Sequence, residues 1–206
     1  MQFIKLDVLL VFACSLLIFS CSTRSFFYVN DAKMLSISER NELIDNKNRS
    51  EPIKLLLNGH YIESGKNLVL LIRKFDVGKR TAIDDEYFEK LTIEIKKYEL
   101  GKPIKLESPD IQLYYSEGPS GFIYKGHGYY STCGSGYIII NKTNTNTLVA
   151  EINITTMAKS AGVFPSPPEG WEVNFKGKYS FKEIKISELT PWLGVPDSSY
   201  SKEVYP

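Results

Sequence analysis

Cys133 and His127 are the side chains whose types and spacing come nearest to a catalytic pair. The cysteine lies in Tyr129-Tyr-Ser-Thr-Cys-Gly-Ser-Gly136, six residues after the histidine. A cysteine nucleophile needs a base within hydrogen-bond reach and an electropositive setting that keeps it as thiolate. A hairpin that put the two on adjacent strands would supply the base. The stretch matches no local cysteine-enzyme signature, and a small half-buried cysteine beside a glycine turn, with a surface histidine nearby, is the favoured reading. Gly134-Ser135-Gly136 and Gly118-Pro-Ser-Gly121 both lack the Gly-x-Ser-x-Gly spacing of a nucleophile elbow. The histidines, His60 and His127, are 67 residues apart and no metal-ligand motif joins them. Asp84-Asp85-Glu86 lacks the spacing of a calcium loop and reads as a solvated turn. Neither Gly126-His-Gly128 nor Gly134-Ser-Gly136 leads into a helix, so no helix N-terminus is offered to a phosphate. The expectation is a protein that is not an enzyme, with no metal and no cofactor; an envelope enzyme using Cys133 and His127 is the alternative.

Binding chemistry has a better candidate. Ser120, Phe122, Tyr124, Tyr129, Tyr130 and Tyr137 flank a glycine-rich segment. Glycines let loops take positive φ, and tyrosines give rigid, amphipathic contact area. The functional reading is a rim for a protein or glycan partner; the plainer one is a set of cross-strand pairs in a hairpin. Within this segment, Ser120-Gly-Phe-Ile-Tyr124 resembles the Ser-Gly-x-x-Tyr loop of the membrane-bound lysozyme inhibitors, which are also β-rich bacterial lipoproteins. That resemblance implies a loop serine entering the lysozyme cleft, with Ser120 and Tyr124 as the residues concerned.

The N-terminus says where such a domain would be held. Lys5 precedes an apolar run of 12 residues, Val8 to Phe19, the usual span of a secretory leader core. As a helix it would rise roughly 18 Å, against about 30 Å of bilayer hydrocarbon, too short to span comfortably. The run ends in Ile18-Phe19-Ser20-Cys21, which resembles the lipobox of bacterial lipoproteins. The resemblance implies cleavage before Cys21 and acylation of that cysteine, anchoring the chain in membrane lipid. Because Ser22 is not acidic, it also implies the outer membrane in a diderm cell. One acyl chain holds only marginally, whereas two or more hold stably.

Composition is consistent with an exported domain. Cleavage would leave about 185 of the 206 residues, enough for one core. The formal net charge is +1, and losing Lys5 and Asp7 together leaves it unchanged. No electrostatic case for nucleic acid survives that balance. Of the three cysteines, the lipobox resemblance implies that Cys14 leaves with the leader and that Cys21 is acylated, which would leave Cys133 no partner for an intramolecular disulfide.

The elements that must position these side chains are strands. Leu68-Val-Leu-Leu-Ile72 is a continuous apolar run, which suits a strand covered on both sides. Leu91, Ile93 and Ile95 alternate with Thr92, Glu94 and Lys96, which predicts one buried face and one wet face. Ile111, Leu113 and Tyr115 repeat the pattern, Tyr137 to Ile140 follows a glycine pair, and Leu148, Ala150, Ile152 and Ile154 form another face. Val173, Phe175, Tyr179 and Phe181 share a face on which Gly177 suggests a bulge or a close approach. The apolar phase then shifts at Lys182-Glu183, as a bulge or turn would make it. Turn signals stand at Asn58-Gly59, Ser64-Gly65, Val77-Gly78, Gly101-Lys-Pro103, Glu117-Gly-Pro119 and Asn141 to Asn146. A short helix is expected near 38–46 after the capping-box pattern Ser36-x-x-Glu39. Gly136-Tyr-Ile-Ile-Ile140 and Phe175-Lys-Gly-Lys-Tyr-Ser-Phe181 are similar to segments of uncharacterised β-sandwich lipoproteins of bacterial envelopes.

The expected organisation is a signal peptide over 1–20, a lipidated cysteine and tether over 21–52, and an all-β domain over 53–189. That domain is an antiparallel sandwich or barrel, and 190–206 is an irregular tail. The expected role is binding or structural work in the cell envelope.

Overall fold

A computed structural model describes residues 22–36, 60–76, 87–119, 129–142, 147–160 and 170–189. Ten strands make up almost all of it: β1 Ser22–Ser36, β2 His60–Ser64, β3 Asn67–Asp76, β4 Tyr87–Ile95, β5 Pro103–Lys105, β6 Ile111–Pro119, β7 Tyr129–Ser131, β8 Gly134–Lys142, β9 Thr147–Ser160 and β10 Trp171–Glu183. A single 3-10 turn, Ile186–Glu188, follows β10. The all-β, largely antiparallel architecture is as the alternating sequence predicts.

The sheet closes on itself. Hydrogen bonding runs β10–β1–β3–β4–β6–β7–β9, and β9 pairs back onto β10. This is the barrel-like form, with β8 and β5 continuing outward from β9. Its seam is one short parallel contact, Phe27 opposite Lys182 and Tyr28 opposite Glu183. Side chains reinforce the seam. The Tyr28 hydroxyl donates to Glu183 at 3.0 Å, and Asn30 Nδ2 donates to the same carboxylate at 2.8 Å. Phe26 stacks on Tyr179 and Phe181 across it, with centroids 5.0 and 5.9 Å apart.

Alternation decides what fills the ring. Leu68, Leu70 and Ile72 of β3, Leu91, Ile93 and Ile95 of β4, Ile152 and Ile154 of β9, and Phe175 and Phe181 of β10 all point inward into one apolar core. Val69 and Leu71 point outward instead, into a second cluster with Val29, Ala32, Ile62 and Leu189. The run Leu68–Ile72 is therefore covered on both sides, as its lack of alternation predicts.

What covers the outside is the continuation of β1. Its register with β3 shifts between Val29 and Ala32, a bulge in which Asp31 takes φ 51°. Beyond the bulge, residues Ala32–Ser36 pair with β2. The two strands bend together at Asp31 and Gly65, where Gly65 N–H donates to the Asp31 carbonyl at 2.8 Å. A Cβ on Gly65 would lie 2.6 Å from the Ala32 carbonyl oxygen, so the bend requires glycine. The bent ribbon lies over the outer face of the barrel wall, bringing Ile62 against Val69 and Leu71, and His60 against β4 and β6.

Several expectations need correction. Residues 22–36, read as part of a tether, form β1, so the sheet begins at Ser22 rather than at 53. Glu117-Gly-Pro119 is not a turn; it pairs with Glu89, Phe88 and Tyr87 as the end of β6. Ser64-Gly65 marks the ribbon's bend and not a reversal, since β2 and β3 both run antiparallel to β1. β9 and β10 pair without a register shift, so Gly177 marks no bulge. The Tyr179 ring lies over it, 3.4 Å from where a Cβ would stand. The phase shift after Lys182 arises because β10 ends at Glu183, and Ile184 and Ile186 pack into the outer cluster. The expected helix at 38–46, Asn58-Gly59, Val77-Gly78, Asp84 to Glu86 and the tail 190–206 lie outside the described residues.

Candidate functional site

The wall covered by the ribbon carries the most unusual chemistry in the molecule. Lys90, Thr92 and Glu94 occupy the face of β4 that alternation assigns to water, yet they are only 8%, 0% and 2% exposed. Long-range folding overrides the local pattern here. Glu94 accepts a hydrogen bond from Asn67 Nδ2 at 2.6 Å. Across the strands, Thr92 is opposite Leu71 and Tyr114, and Lys90 is opposite Arg73 and Ser116; Ser116 in turn is opposite Tyr130.

His60 closes this group from the ribbon side. A ring nitrogen, Nε2, lies 2.8 Å from Thr92 Oγ1, and the ring packs on Tyr114 with centroids 4.5 Å apart. Among the described residues, His60 Nδ1, Tyr114 Oη and Ser116 Oγ are buried with no hydrogen-bond partner. Buried polar groups are nearly always bonded, so three such atoms in one cluster are unusual. Burial holds the His60 imidazole well below its ordinary range, and the neighbouring Lys90 charge lowers it further. The imidazole is therefore neutral, one nitrogen an acceptor and the other a donor. Burial alone pulls Lys90 down from 10.5 to about 8, so it still carries most of its charge at pH 7. Burial also raises the Tyr114 phenol, as does Tyr130 beside it.

Two other polar places are partly satisfied, and at the second of them Glu117 Oε1 is buried with no partner among the described residues. A groove of about 770 Å³ lies at the ribbon's bend, lined by Asn30, Asp31, Glu183, Lys185 and Glu188 among others. Its Glu183 accepts from Tyr28 and Asn30, and Glu188 accepts the Lys185 N–H at 3.1 Å. At the barrel end where β4 starts, Tyr87 donates to Glu117 at 2.7 Å, and Glu89 is the cross-strand partner of Glu117.

Of the expected rim, Tyr129, Tyr130 and Tyr137 are described, and these three do not share one place. Tyr129 faces inward, its ring edge-on to Trp171 at 4.1 Å. Tyr137 is on β8 and donates to Glu151 at 3.2 Å. Of these three, Tyr130 borders the buried cluster, half-buried beside Tyr114. Ser120, Phe122, Tyr124, His127 and Cys21 lie outside the described residues. Cys133 is exposed. Its backbone is fixed by Ser131, whose hydroxyl donates to the Cys133 carbonyl at 3.0 Å, and by Thr156, whose hydroxyl donates to it at 2.5 Å. The glycines beside Cys133 serve pairing: at Gly136, φ 120°, an added Cβ would run into the Asn153 carbonyl of β9.

Sequence reasoning passed over Lys90, Thr92, Tyr114 and Ser116. The available signal was weak: a lone histidine, and a run of polar residues at the outward positions of a strand. No family model matches this chain, and no curated protein and no solved structure is similar to it.

Proposed function

We propose that the chain is a lipid-anchored lipoprotein of the cell envelope, exported by its leader and held to membrane lipid through acylated Cys21. Its role is to bind a ligand on the outside of a solid barrel. The observation that carries the reading is the junction at Cys21: an apolar leader ends there, and the first strand begins one residue later.

The fold supports this in two ways. Leucine, isoleucine and aromatic side chains fill the interior, so the described ring is a scaffold and a ligand would be met on its outer surface. The strand ends nearest Cys21 include Asp76 of β3, paired with Ser22, then Tyr87 of β4, paired with Asp76, and Pro119 of β6, paired with Tyr87. That end would face the bilayer, and the opposite end, with the ribbon's bend and the 770 Å³ groove, would face away.

The reading is tested by separating cells of an expression host into soluble and membrane fractions. The wild-type chain is expected in the membrane fraction and released only by detergent. Cys21→Ser is expected to abolish acylation and to change that distribution. Wild-type protein released by buffer alone would contradict the anchor.

A further inference from the structure

We propose that the cluster between the ribbon and the barrel wall is a binding site for an oxyanion, a carboxylate or a phosphate group, held by Lys90, Ser116, Tyr114 and His60. The balance of donors and acceptors leads to this class. Lys90 brings three N–H donors, Ser116 and Tyr114 each bring a hydroxyl, and His60, packed on Tyr114, brings Nδ1. Three of these side chains have a buried atom with no partner. Arg73 is on the same face, directly across from Lys90, and adds a second positive charge.

Among the described residues, no carboxylate offsets the Lys90 charge. Burial is what acts on Lys90, with no carboxylate contributing, and the carboxylate nearest along its strand face, Glu94, is engaged by Asn67. A buried ammonium without a counter-charge is costly. An anion with several acceptor oxygens would neutralise it and bond the three orphaned atoms together. Charge-assisted hydrogen bonds of that kind are the strong ones. Lys90 keeps 8% of its surface exposed, and half-buried Tyr130 is the cross-strand neighbour of Ser116. Among the described rim residues, Tyr130 borders the cluster. The inference is independent of the anchor at Cys21.

The experiment is thermal unfolding of the full chain in detergent with inorganic phosphate or acetate, using chloride at matched ionic strength as the reference. A saturable rise in Tm over chloride is expected with at least one of the two probes. The probe with the lower half-saturation identifies the oxyanion. Lys90→Met should lose the dependence, and Ser116→Ala should weaken half-saturation by about tenfold. If Lys90→Met does not fold, Tyr114→Phe with Ser116→Ala carries the same comparison. No rise over chloride with either probe overturns the proposal. So does an equal rise in the variants, which would be a general salt effect on the protein surface.

Discussion

A lysine buried beside a neutral histidine, with no carboxylate among the described residues to answer it, works against folding. Lys90→Met keeps the chain length and removes the charge, so it should stabilise the protein by about 1–3 kcal/mol at neutral pH, read from urea midpoints. The sign of the pH dependence follows from the same residue. Folded Lys90 loses its proton near 8 and an unfolded lysine near 10.5. Between those values the unfolded chain binds more protons, so this residue makes stability rise with pH, by roughly 3 kcal/mol in all. Below 8 both states are protonated and its penalty stands in full. Subtracting the stability of Lys90→Met from wild type isolates the slope, and a flat difference between pH 8 and 10.5 would contradict the burial argument. Gly136 makes a separate point at this scale. With φ 120° and the Asn153 carbonyl where a Cβ would go, Gly136→Ala should cost more than about 2 kcal/mol, seen as a lower urea midpoint.

Among elements, β1 does the most and was the least legible. Its apolar residues, Phe26 to Val29, face alternately into the core and into the outer cluster. Covered on both sides, they show no alternation, and the Ser, Asn, Asp and Lys around them read as linker. β9 and β10 were plain in the sequence because one face of each is exposed and period two survives. β3 was legible for the opposite reason, as a run too apolar to have a wet side. The candidate site was hidden because Lys90 and Thr92 alternate correctly with Leu91 and Ile93, and only the bend at Asp31 and Gly65 buries them. No local pattern encodes a ribbon folding back over its own wall. A chain beginning at residue 37 tests the role of β1: it loses the partner of both β3 and β10 and should show no cooperative unfolding. If 1–36 were only leader and tether, that chain would unfold as sharply as the parent. Phe181→Ala, at the seam and fully buried, should cost about 3–5 kcal/mol in urea unfolding.

At the scale of the whole molecule, the buried titratable groups limit the pH range from both sides. His60 refuses the proton that an unfolded histidine takes up below about 6.5, so stability is lost as pH falls through that value. The phenols of Tyr114 and Tyr115 are raised above 10, mainly by burial, so their contribution is complete below 10 and is lost as pH climbs past it. Urea midpoints across pH should therefore fall at both extremes, and His60→Gln should flatten the acid limb. The same barrel would sit close to the membrane, since Ser22 already belongs to the sheet and only Cys21 would separate it from the acyl chains. Mass spectrometry of the N-terminal peptide from detergent-extracted protein tests this most directly. The account predicts a chain that begins at Cys21 and carries acyl mass on that residue; an unmodified Cys21, or a retained leader, would contradict it.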